Sequence, residues 1–97
     1  MTETQNNQQN RAPADTVFIG QKPTMAYALA VITQLSEGRS EVHIKARGRS
    51  ISRAVDVAEV VKRKLQNLTA HVGISTEEIR GDKGKLNVSI IDIKLVK

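Results

Sequence analysis

The segment EVHIKARGRSISRAVDVAEVVKRKL, residues 41–65, decides the fold, because its hydrophobic period changes halfway along. From Glu41 to Arg47 apolar and polar residues alternate. Val42, Ile44 and Ala46 fall on one face and His43, Lys45 and Arg47 on the other, the period of a half-buried strand with a basic outer face. Gly48 then permits a tight turn and Ser50 or Ser52 can cap a helix. Ile51, Ala54, Val55, Ala58, Val61 and Leu65 follow as an apolar helical stripe that should end near Gln66 or Asn67.

The same strand-to-helix change occurs upstream. Thr16 to Ile19 (TVFI) is a short β-branched run closed by Gly20, which reads as a buried strand with Phe18 inside. Pro23 suits the first turn of a helix, and Met25, Ala28, Leu29, Ile32 and Leu35 carry its apolar stripe to about Gly38. Downstream, Ala70 to Ile79 and Leu86 to Val96 read as strands joined by the hairpin turn Arg80-Gly81-Asp82-Lys83-Gly84-Lys85. In the last strand the apolar positions shift from even (86, 88, 90) to odd (91, 93, 95), as a bulge near Ile90 or burial on both faces would produce. The order is therefore βαβαββ. It implies an α/β two-layer sandwich whose mixed four-stranded sheet carries two helices and a β-hairpin, with a right-handed first crossover joining parallel strands.

Length and composition bound the rest. A chain of 97 residues has room for one packed core. Residues 1–15 are polar, rich in Asn and Gln and aperiodic, which predicts a flexible tail before a single domain over residues 16–97. The absence of cysteine excludes disulfides, thiolate metal sites and cysteine nucleophiles. No apolar run approaches the roughly 20 residues that cross a bilayer, so a soluble cytoplasmic protein without a membrane partner is expected. No internal repeat occurs.

The net charge of +5 is concentrated. Between Arg39 and Lys64 eight basic residues face three acidic ones, and outside that segment seven of each sign cancel. Such clustering is the footprint of a surface for a polyanion. If the first two strands are parallel neighbours, the loops Gly20-Gln21-Lys22-Pro23 and Arg47-Gly48-Arg49-Ser50 end at one rim. Each brings backbone N–H groups and a helix N-terminus, and together they add Lys22, Arg47 and Arg49, with Lys45 on the same strand face and Arg53 in the next helical turn. Cations at helix N-termini oppose the helix dipole, so their presence there is best explained by an anion, and phosphate is the obvious one. Lys62, Arg63 and Lys64 instead sit in a last helical turn, where cations are stabilising.

Enzymatic chemistry has no foothold. Glu77 and Glu78 are adjacent on a strand and point to opposite faces, His43 and His71 have no metal-ligand spacing, and Ser50 and Ser52 lack a partnering base. No phosphate-binding P-loop motif is present, and no cofactor or metal is implied. One Phe and one Tyr are too few for a base-stacking platform, which favours backbone recognition.

The blocks Val17-Phe18-Ile19-Gly20-Gln21-Lys22-Pro23-Thr24-Met25 and Ile44-Lys45-Ala46-Arg47-Gly48-Arg49-Ser50-Ile51-Ser52-Arg53-Ala54-Val55-Asp56 together resemble the Alba family of archaeal chromatin proteins. The resemblance runs from about Thr16 to the C-terminus. It implies a homodimer that coats double-stranded DNA on the chromosome with little sequence preference, its hairpins reaching out as arms, and many relatives also bind RNA. By this resemblance Lys22, Arg47, Arg49 and Arg53 fall on nucleic-acid-binding positions, with Tyr27 close by as a weaker candidate; the strand face and the two glycine loops add Lys45, Gln21 and Gly48, and the hairpin adds Arg80, Lys83 and Lys85 as weaker ones. The chain departs from the family in three places. Gln21-Lys22 stands where two lysines are common, the hairpin tip is short, and Leu65 replaces a phenylalanine often found at a contact between dimers. Two other readings are compatible with the residues: RNA as the main ligand, in a chaperone or ribonucleoprotein subunit, and a protein-interaction module for an acidic partner.

Overall fold

The parallel pairing expected for the first two strands is present: Thr16, Val17 and Phe18 lie beside His43, Ile44 and Lys45. In the computed structural model, which describes residues 15–97, the elements are β1 (Thr16–Phe18), α1 (Thr24–Ser36), β2 (Glu41–Arg47), α2 (Ile51–Lys64), β3 (Thr69–Gly81) and β4 (Gly84–Val96). The four strands form one sheet in the order β1-β2-β4-β3, with β4 antiparallel to both neighbours. The expected tail over residues 1–15 lies, Asp15 apart, outside the described residues. No described helix is long and apolar enough to cross a membrane.

The core lies between the sheet and the two helices. Val42, Ile44 and Ala46 from β2 and Ile91, Ile93 and Leu95 from β4 meet Ala28, Val31 and Leu35 of α1 and Ala54, Val57, Ala58 and Val61 of α2. The helix stripes expected from sequence hold at Ala28, Leu35, Ala54, Ala58 and Val61 and differ along one edge. Met25, Leu29 and Val55 are exposed, and Val31 and Val57 take the buried places. Both helices carry more apolar residues than a single sheet face can cover, so period alone could not select the inward set.

Helix α1 stops as Gly38 turns left-handed, at φ +106°. The amides of Gly38 and Arg39 then bond back to the carbonyls of Leu35 and Gln34, the paired bonds of a Schellman end. Helix α2 starts differently from expectation. Gly48 adopts φ +58° and opens a 3₁₀ turn over Gly48–Ser50 that runs straight into the helix. No side-chain cap forms at Ser50, whose backbone is helical (φ −86°, ψ −4°) rather than the extended form an N-cap needs, and the Ile51 amide bonds to the Gly48 carbonyl.

No bulge interrupts β4. Its register is continuous from Val96 to Gly84 against β3, and from Val96 to Ile90 against β2. Ile91, Ile93 and Leu95 face the helices, whereas Leu86, Val88 and Ile90 lie on the other face, so the parity shift marks where the strand leaves the sandwich. Beyond Ile90, β4 pairs with β3 alone and the hairpin closes at Gly81 and Gly84 around Asp82-Lys83, a tighter turn than the sequence suggested.

Candidate nucleic-acid interface

Parallel pairing brings β1 and β2 to the same rim, and the chain fastens their loops together. The Ile19 amide donates to the Lys45 carbonyl at 2.8 Å. Arg53, on the first turn of α2, sends its Nη1 back to the Gly20 carbonyl at 2.9 Å. The loop after β1 and the helix after β2 are thus joined directly, and Lys22, Arg47, Arg49 and Arg53 occupy one end of the molecule. Gln21, Lys22, Arg47, Gly48 and Arg49 are all exposed.

Tyr27 shapes the first loop. Its hydroxyl oxygen accepts hydrogen bonds from the amides of Gly20, at 2.8 Å, and Lys22, at 3.1 Å. A Cβ at residue 20 would lie 3.2 Å from that oxygen, which is why glycine belongs there. Two amide hydrogens that the sequence left available for an anion are therefore used internally, as is that of Ile51 at the second loop. What the rim could offer an anion is therefore mainly its side-chain cations, with Tyr27 and Arg53 fixing the backbone of the loop that carries Lys22.

The cations differ in how far they are neutralised. Arg47 Nη1 donates to Glu77 Oε1 at 2.9 Å, and Lys45 Nζ lies 3.7 Å from Asp92 Oδ2. Among the described residues no carboxylate lies within ion-pair distance of Lys22 or Arg49. Exposed pairs such as Arg47 with Glu77 contribute little and exchange readily for a phosphate.

Arg80, Lys83 and Lys85 are not brought to this rim. They lie near the tip of the two-stranded arm, about five residues and so roughly 17 Å beyond the point where Arg47 pairs with Ile90. Arg80 sits directly opposite Lys85, a like-charge pairing that only the Lys85 to Glu78 contact at 3.8 Å relieves within the arm. Glu77 and Glu78 do point apart, one to Arg47 and the other to Lys85.

The far end of β2 holds a separate cluster. His43 Nδ1 is 2.9 Å from Asp92 and Nε2 is 3.3 Å from Glu41. Asp15, Glu41 and His43 place one potential ligand atom each within 4.8 Å of one another, the arrangement that could admit a cation. Hydrogen bonding to Asp92 raises the His43 pKa above its ordinary 6.5, against an opposing effect of burial and with help from the charge of Asp92, the Glu41 hydrogen bond and Asp15. A proton thus competes for the atom a metal would need.

Because the folded pKa is raised, the stabilisation from protonated His43 is complete below about pH 6.5 and is lost as pH rises through the folded value. Thermal melts from pH 6 to 8.5 should show this decline in the wild type and a flatter profile in His43→Gln. Parallel profiles would assign the decline elsewhere.

Sequence reasoning missed the structural duties of Tyr27 and Arg53 and the exposure of Phe18, which stands 56% accessible at the end of β1. Ile19, its neighbour, is the residue that enters the core. A short run of four apolar residues gives no clue to which parity is inward.

Comparison with known proteins agrees with this architecture. The Alba family model matches residues 15–81. DNA/RNA-binding protein Alba 1 of Archaeoglobus fulgidus is 55% identical over 85 residues, covering 86% of this chain and 96% of the relative. DNA/RNA-binding protein Alba of Methanothrix thermoacetophila is 51% identical over 88 residues, covering 89% and 99%. Among solved structures, Alba from Thermoplasma volcanium superposes with a TM-score of 0.79 at 43% identity, covering 84% of this chain and 99% of that one. In sequence and in fold, this chain belongs to the Alba family.

Proposed function

We propose that the protein binds double-stranded DNA without sequence preference, coating and compacting it as a homodimer through phosphate contacts and remaining associated with the chromosome. The observation that carries this reading is the joined pair of basic loops, tied by the Arg53 to Gly20 hydrogen bond. Lys22 and Arg49 reach the first phosphates, Arg47 joins by releasing Glu77, and Lys45, Arg53, Gln21 and Gly48 complete the surface. Tyr27 supports the loop from behind, and Arg80, Lys83 and Lys85 touch the backbone further out. Phosphate contacts carry no base information, which accounts for the lack of preference.

The homodimer has support beyond the family. Val72 and Ile74 of β3, on the helix side of the sheet, are 61% and 82% exposed, an apolar surface that a second copy can cover. RNA is the second ligand in this reading, since the curated relatives are named as DNA/RNA-binding proteins.

A salt titration on unrelated duplexes tests the proposal. About six phosphates neutralised per dimer give a log–log slope near −5 and a loss of roughly a thousandfold in affinity between 50 and 200 mM salt. A shallow slope, or strong selectivity among the duplexes, would overturn it.

A further inference from the structure

Phe18 is the chain's only phenylalanine, and it faces solvent on the side of the sheet away from the helices. The strand register sets Lys45 directly beside it, with Asp92 next across the sheet and Arg47 and Ile90 one step nearer the rim. Phe18, Ile19, Lys45, Ala46, Arg47, Glu77 and Ile90 line a cavity of about 430 Å³, within the range of small-ligand sites. Its apolar parts come from Phe18, Ile19, Ala46 and Ile90. Its charges nearly cancel, because Lys45 is near Asp92 and Arg47 is bonded to Glu77.

We propose that this cavity receives an unpaired nucleobase, stacked on the Phe18 ring, while the flanking phosphates rest on the adjoining basic rim. The inference builds on the nucleic-acid reading above and names a class of ligand that reading does not: a strand with bases out of the duplex. A locally neutral cavity with an aromatic wall is poorly suited to a phosphate and well suited to a base, whose π-face stacks regardless of sequence. The Glu77 carboxylate on the cavity wall offers an acceptor to an exocyclic amino group, the contact by which acidic side chains meet cytosine. Bases inside an intact duplex are already stacked on one another and cannot reach the ring. Paired and unpaired strands therefore share the rim, and only unpaired ones use the cavity.

The chain contains no tryptophan, so Phe18→Trp installs a unique fluorophore at the proposed platform. Binding is measured for the wild type, Phe18→Ala and Phe18→Trp with an oligoadenylate RNA, its DNA equivalent and a blunt DNA duplex. Stacking predicts that Phe18→Ala loses about tenfold or more on the single strands and less than twofold on the duplex. Phe18→Trp should keep single-strand affinity and show its emission quenched by single strands but not by the duplex. Quenching by RNA alone would identify RNA as the source of the base, and quenching by both would show that stacking suffices. Unchanged single-strand affinity in Phe18→Ala, together with an unquenched tryptophan at saturation, overturns the platform and leaves the rim intact. Failure of the wild type to bind the duplex would instead remove the parent reading.

Discussion

Replacing Arg47 and Arg49 together with alanine is expected to weaken binding to every duplex by about 10- to 100-fold, since each charge-assisted contact contributes roughly 1.5–3 kcal/mol and part of that is recovered by water and salt. The log–log salt slope should fall by about 1.8 for each protomer engaged, at 0.9 per phosphate. The two residues are not equivalent. Arg49 has no carboxylate partner among the described residues, so its removal subtracts a phosphate contact and little else. Removing Arg47 also leaves Glu77 facing the ligand without its guanidinium at 2.9 Å, adding repulsion to the lost attraction. Glu77→Gln should therefore strengthen duplex binding slightly. Filter binding or anisotropy on two unrelated duplexes reads these variants, and a double variant that binds as well as the wild type would place the surface elsewhere. Both arginines are exposed, so the fold should be unaffected.

Ile44→Ala should act on the other side of the sheet and on a different quantity. Ile44 is fully buried at the centre of β2, beside Val17 on β1 and Ile93 on β4. Truncation removes its apolar surface from the core and leaves a void that rigid neighbouring strands cannot close, a loss of about 2–5 kcal/mol. A domain of this size has only about 5–15 kcal/mol in hand, so urea unfolding at fixed protein concentration should show a clearly lowered midpoint. Where the variant remains folded its duplex affinity should match the wild type, because Lys45 and Arg47 leave the opposite face of the same strand. A loss of unfolding free energy below about 0.5 kcal/mol would mean the core relaxes around residue 44 far more than its packing suggests.

Strand β2 and the helix after it were legible because alternation and helical spacing each held for a full element. The parallel pairing of β1 with β2 followed from the element order, and with it the meeting of the two basic loops. What the residues did not disclose has a common cause. Phe18, Met25, Leu29 and Val55 are apolar yet exposed, since one sheet face cannot shelter every apolar residue of two helices and an edge strand. Hydrophobicity marks candidates for burial, and only packing selects among them. The internal use of the Gly20 and Lys22 amides was hidden for another reason: it depends on a hydroxyl seven residues along a helix, which no local pattern announces. Arg53 read as one more cation at a helix start, while its contact with Gly20 spans 33 positions. The serine caps failed because the 3₁₀ turn carries Ser50 into helical backbone before the helix begins, away from the extended form a capping residue needs.

With Tyr27 and Arg53 holding the two loops in position, little of the rim remains to be ordered when a polyanion arrives. Conformational entropy that a floppy loop would surrender on docking has already been given up in folding. Capture should then be limited by encounter, with long-range attraction setting the on-rate and few false starts once the surfaces touch.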